Sequence, residues 1–215
     1  MYKQLNKENW KRKEHFDFFS QFDEPFFGIV AEVDCTNAYN FCKNRSIQFF
    51  LYYHYQALLA VNQTEEFRYR IKDDEIIVFD NIHVTTTISR LDNTFAFSFI
   101  PFKASFKEFS EMARMEIDRI KKSSGLGVNE DTSRIDVIHF STVPWISFTG
   151  VTHPQSFKYK DSIPKITFGK YFSRNDRMIM PVSVNAHHGL MDGFHVGQFL
   201  QLFQQLMNEN KHLIT

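Results

Sequence analysis

From Gln48 to Val61 the chain packs Phe49, Phe50, Tyr52, Tyr53, Tyr55, Leu58 and Leu59 into one helix-length block. Apolar side chains then fall all around the helix, which predicts burial on more than one side. Arg68 to Ile71 and Glu75 to Phe79 flank the polar Lys72-Asp73-Asp74 and predict a hairpin. Further strands are expected at His83 to Arg90 and Thr94 to Phe102, followed by an amphipathic helix from Ser105 to about Lys122 that stops before Ser123-Ser124-Gly125. Gly125 to Arg134 reads as an exposed loop. Strand signals dominate from Ile135 to His188, punctuated by Pro144, Pro154 and Pro164, with a turn at Asn175-Asp176. A last helix opens near Gly193 and lines Phe199, Leu200, Phe203, Leu206 and Met207 on one stripe. This order predicts an α/β (α+β) chain, a mixed β-sheet flanked by helices.

At 215 residues the chain is long enough for one buried core, and no linker or repeat divides it, so a single domain over 1–215 is expected. Its 25 Phe imply an unusually aromatic core or burial at subunit contacts. Lys+Arg and Asp+Glu balance at 25 each, which gives no net attraction for nucleic acid or an anionic membrane. Met1 to Lys13 is polar and no long apolar run follows, so neither a signal core nor a membrane span is expected. Cys35 and Cys42 fall on one face of a helical segment without a CxxC spacing, and reduced thiols fit a cytoplasmic address.

The segment with most chemical content ends in His187-His188-Gly189-Leu190-Met191-Asp192-Gly193. Met178, Met180, Val182, Val184 and Ala186 alternate, and the period of two aims His188 toward the same interior face. His187 points the opposite way, with Ser183 and Asn185. An imidazole at a buried strand end is either a hydrogen-bonded core residue or a group that takes and returns protons, and the alternation alone leaves both open. His187, His188, Asp192 and His195 also invite a metal reading, but they lack the HExxH spacing and alternation separates the adjacent histidines. There is no GxSxG elbow, so direct transfer without an acyl-enzyme suits the inventory better.

His187-His188-Gly-Leu-Met-Asp192-Gly193-Phe194-His195-Val196 resembles the HHxxxDGFHV signature of the chloramphenicol acetyltransferase family. Asn9-Trp10-Lys-Arg12-Lys-Glu14-His15-Phe16 resembles its N-terminal block. Ala60-Val61-Asn62, Glu66-Phe67-Arg68 and Ile71-Lys72-Asp73 resemble its middle. Ser141-Thr-Val-Pro144-Trp145, Ser147-Phe148 and Thr167-Phe-Gly-Lys170-Tyr171 resemble the segments before the signature, so the likeness runs through the chain in order.

The resemblance implies a CoA-dependent acyltransferase fold in which His188 is the general base and Ser141 donates to the oxyanion. Asp192 is implied to pair with Arg12 in support of the site. Alone, Ser141 reads as an ordinary strand serine and Arg12 as a solvated surface charge. Tyr171 and Thr167 are implied on the coenzyme side. Phe18, Phe19 and Phe95 are implied to wall the acceptor pocket, with plain core packing as the competing reading. Acetyl-CoA is implied as co-substrate and chloramphenicol as acceptor, without a metal, in a homotrimer with active sites between subunits and a role in antibiotic resistance. Met191 stands where many members have Cys, Gly189 where they have Ala, and Gln48 where Lys is frequent. His153 stands where a leucine usually meets the antibiotic, so an acceptor other than chloramphenicol is the nearest alternative. A ligand-sequestering homologue without chemistry is the third reading.

Overall fold

The computed structural model describes residues 1–156 and 160–209. In chain order the elements are β1 (Tyr2–Gln4), α1 (Lys13–Phe19), β2 (Phe26–Asp34), α2 (Thr36–Asn44), α3 (Phe49–Gln63), β3 (Tyr69–Lys72), β4 (Glu75–Phe79) and β5 (His83–Ser89). There follow β6 (Phe95–Ile100), α4 (Phe106–Lys121), β7 (Val137–Val143), β8 (Lys165–Gly169), β9 (Phe172–Arg174), β10 (Arg177–His187) and α5 (Gly193–Glu209). The larger sheet runs β2-β10-β8-β7-β5-β6, with β9 beside β10. It is mixed, because β5–β7 and β7–β8 are parallel and the other pairs antiparallel. The expected hairpin is β3–β4, turned by Asp73 and Asp74 at φ 52° and 63°. It belongs to a separate sheet with β1, whose three exposed residues carry no apolar alternation.

Pleating gives the larger sheet two unlike faces. On one, Val84, Ile138, Phe140, Ile166, Phe168, Val182 and Val184 pack under residues of α2 to α5 in a continuous core. The helix α3 is buried from Leu51 to Leu58 without a break, as its all-round apolar pattern predicts. On the other face Ser141, Thr167 and Ser183 form one row across β7, β8 and β10, and His139, Lys165 and Asn185 form the next. Arg70, fully buried, donates to the carbonyls of Phe67, Tyr69, Ile135 and Val137, and so ties the hairpin to the start of β7.

The run from Ile135 to His188 is not strand throughout. Between β7 and β8 the described residues form no strand, where Pro154 and Pro164 have no N–H to donate to a ladder. This segment crosses the polar face: His153 hydrogen-bonds Thr167, and a Cβ on Gly169 would come within 2.9 Å of Phe148. Cys35 caps α2 and Cys42 lies inside it; both are free and buried, and burial pushes both thiols up to about 12.

Candidate active site

Pairing of β10 with β2 sets Ala186 opposite Phe27 and His187 opposite Phe26. The ladder runs one bond further, His188 N–H donating to the Pro25 carbonyl at 2.8 Å. His188 therefore keeps the parity of Ala186 and turns to the helix-covered side. Its ring stacks on Phe19, with centroids 4.1 Å apart and planes at 5°, and meets Phe27 at 4.5 Å. Nδ1 is buried without a hydrogen-bond partner, although the residue as a whole is half-buried.

His187 turns the other way and is the more buried of the two, at 3 % exposed. Its Nδ1 accepts the Gly189 N–H at 3.1 Å, and its ring lies between Phe16 and Phe26. Burial pushes this imidazole down to about 4, so it is neutral at physiological pH. It borders a cavity of about 860 Å³ shared with Phe16, Asp17, Phe26 and Asp161. His188 does not line that cavity, and the candidate chemistry lies outside it.

Below His188, Arg12 Nη1 donates to Asp192 Oδ2 at 2.5 Å while Nη2 donates to the His188 carbonyl at 3.1 Å. One planar guanidinium thus bridges the loop acid and the backbone that carries the imidazole. Burial pushes the Asp192 carboxyl up, and the hydrogen bond and charge of Arg12 override it, leaving the group below its ordinary value. Asp192 Oδ1 also accepts the Phe194 N–H and meets His195 Nδ1 at 2.8 Å.

The remaining sequence candidates divide between the two faces. Ser141 and Thr167 pair across β7 and β8 on the polar face, opposite to the face His188 occupies. Thr167 Oγ1 lies 3.1 Å from His153 Nε2, which joins a residue expected on the coenzyme side to one expected on the acceptor wall. Tyr171 packs on Tyr39 and Phe49 of the helix layer, away from Thr167. Phe19 meets His188, whereas Phe18 clusters with Phe19 and Phe22 and is 59 % exposed. Phe95 stands on β6, the far edge of the sheet from β2, beside Phe97 and 47 % exposed. Within one chain, then, His188 and Phe19 are together, as are Ser141, Thr167 and His153, but the two groups are not. Among the described residues no group of three or more His, Cys, Asp or Glu is placed to hold a metal ion, and no helix is long and apolar enough to cross a membrane.

Two contacts escape the sequence reading. Phe27 sits against His188, and the β-branched and aromatic run from Phe26 to Val33 is the strand signal that places it. His195 is held three residues after Asp192, the separation that brings side chains together at a helix start.

This mixed sheet, with α2 to α5 packed on one face, is the fold of solved acetyltransferases. The probable dihydrolipoamide acetyltransferase from Listeria monocytogenes 4b F2365 shares it, with a TM-score of 0.66 at 17% identity over 94% of this chain and 92% of that one. A solved chloramphenicol acetyltransferase is nearer, with a TM-score of 0.89 and 31% identity over 96% of this chain and 100% of that one. Chloramphenicol acetyltransferase 3 from Escherichia coli is 29% identical over 211 residues, 96% of this chain and 97% of its own. The sequence profile of the family described as chloramphenicol acetyltransferase matches residues 1–204, and the chain belongs to that family.

Proposed function

We propose that this protein is an acetyl-CoA-dependent chloramphenicol O-acetyltransferase that acts in antibiotic resistance in the cytoplasm, as a homotrimer of one domain per chain. The reading is carried by the position of His188 in a chain of this family: a half-buried imidazole at a strand end, its ring held by Phe19 and Phe27 and its carbonyl by Arg12. His188 Nε2 takes the proton from the acceptor hydroxyl as that oxygen attacks the thioester carbonyl. Ser141 Oγ donates to the tetrahedral oxyanion, a contribution of about 3 kcal/mol in the transition state. The C–S bond then breaks, the acetyl ester is released, and the proton on His188 passes to the departing CoA thiolate. A thioester carbonyl is already electrophilic, so the step assigns no role to a metal.

Base and oxyanion donor face opposite sides of one sheet, so one site takes His188 and Phe19 from one subunit and Ser141, Thr167 and His153 from the next. That division supports the trimer with interfacial sites, and Phe95 at the exposed sheet edge joins the acceptor wall on the same terms. Tyr171 and Thr167 are assigned to the coenzyme. The polar His153–Thr167 pair favours a second reading, acetylation of another small hydroxyl compound. Release of CoA thiol from acetyl-CoA, measured over a panel of hydroxyl compounds that includes chloramphenicol, separates the two. Chloramphenicol is expected to support turnover, and His188→Ala to lower kcat by about three orders of magnitude with the far-UV spectrum unchanged. Thiol release with other alcohols but not with saturating chloramphenicol replaces the first reading with the second. Silence toward every acceptor, with CoA still bound, favours a ligand-sequestering protein.

A further inference from the structure

The Arg12–Asp192 lock beneath His188 has a third member. His195 Nδ1 lies 2.8 Å from Asp192 Oδ1, the Asp192 N–H points at the same nitrogen from 3.2 Å, and Nε2 lies 3.6 Å from Glu66 Oε1. The shorter contact decides where a hydrogen must be. The neutral Asp192 amide asks for a lone pair on Nδ1 and the carboxylate Oδ1 for a hydrogen; the shorter, charge-assisted contact is the stronger of the two, so Nδ1 carries the hydrogen and donates to Oδ1. Asp192 is then held from two sides, Oδ2 by Arg12 and Oδ1 by His195, with Phe194 N–H also on Oδ1. His195 is 12 % exposed and Asp192 32 %, so water competes less for the inner oxygen than it would at an open surface.

We propose that His195 is a positioning residue for the candidate base: its Nδ1–H fixes the Asp192 carboxylate, which orients Arg12 on the His188 carbonyl and so sets the rotamer of the catalytic ring. The proposal rests on the reading of His188 as base. It is reached through one hydrogen bond and not through the bulk of the ring, and this gives it a distinctive test. An asparagine amide nitrogen overlays imidazole Nδ1, whereas a glutamine amide nitrogen overlays Nε2.

The test compares His195→Asn, His195→Gln and His188→Ala in the full-length protein, with kcat and KM measured for acetyl-CoA and for the acceptor. His195→Gln is expected to lower kcat about tenfold with both KM values within about twofold, and His195→Asn to restore most of that loss. Equal losses in the two variants, or the reverse order, overturn the proposal, because a packing role does not distinguish the two nitrogens. Nitrogen-15 NMR of the wild-type histidines supplies a readout independent of variant folding. The resonance missing from both variants is expected to carry its hydrogen on Nδ1, and an Nε2–H tautomer overturns the proposal. If His188→Ala keeps full activity, the base assignment itself fails, whatever the tautomer of His195.

Discussion

Arg12 and Asp192 lie 180 residues apart in the chain and 2.5 Å apart in the fold, with the guanidinium also holding the carbonyl of His188. Removing either partner leaves the other partly buried without this ion pair. Arg12→Ala and Asp192→Ala are each expected to cost about 1–3 kcal/mol of stability, with a fall in kcat, and the double variant to cost less than their sum. Urea titration of the four proteins gives the coupling energy, and strict additivity would mean that the pair contributes nothing. The sign of the pH effect follows from the lowered Asp192 carboxyl. Its contribution is complete above the ordinary carboxylate range and is lost as pH falls through the lower folded value. The stability difference between wild type and Asp192→Asn is therefore expected to hold from pH 8 to 5 and to shrink only below about pH 4.

His54 predicts a different acid response. It is enclosed by Phe50, Tyr53, Phe140 and Phe168, its Nδ1–H donates to the Phe50 carbonyl, and Nε2 has no partner. Burial pushes it down to about 4. The unfolded chain takes a proton near pH 6.5 that the folded chain refuses, so stability is lost as pH falls from about 6.5 toward 4. His139 and His187, also pushed down to about 4 by burial, add to the same slope. His54→Phe is expected to be within about 1 kcal/mol of wild type at pH 7 and clearly more stable than wild type at pH 5. Thermal melts at the two pH values check this, and parallel losses in both proteins would exclude His54 from the acid transition.

His153 and Thr167 share a hydrogen bond of 3.1 Å on the face assigned to the acceptor. Burial lowers the imidazole below its ordinary value, followed by the positive charge of Lys165, so the ring is neutral at neutral pH and Nε2 shares a single hydrogen with the threonine hydroxyl. An apolar acceptor packed there covers a polar pair without adding a bond. His153→Leu is expected to lower KM for chloramphenicol about fivefold with kcat nearly unchanged, the sign of restored uniform binding. A fall in kcat instead would place His153 in the chemistry.

The helices α2 to α5 and most strands were legible in the sequence because their signals are local, whereas α1 and β2 were not read. The all-round apolar block became α3, and the polar turn at Asp73-Asp74 became the hairpin. The period of two in β10 also placed His188 and His187 on opposite faces. What it did not carry was that the second face is covered as well. That cover comes from α1 and from the segment after Pro144, so the deeper burial of His187 is a tertiary effect. The short β1 was missed because three exposed residues leave no periodicity to read. The separation of His188 from Ser141 required the strand order, since β8 lies between β10 and β7 and pleating alone decides the face.

In the proposed trimer, His188 of one subunit works with Ser141 of the next. His188→Ala and Ser141→Ala proteins, each nearly inactive, are mixed in equal amounts and allowed to exchange subunits, and exchange is verified by the mass of mixed trimers. If the site spans two chains, one interface in four combines an intact histidine with an intact serine, and specific activity is expected to return to about one quarter of wild type. Recovery confined to the background of the two variants, with exchange proven, would contradict the account.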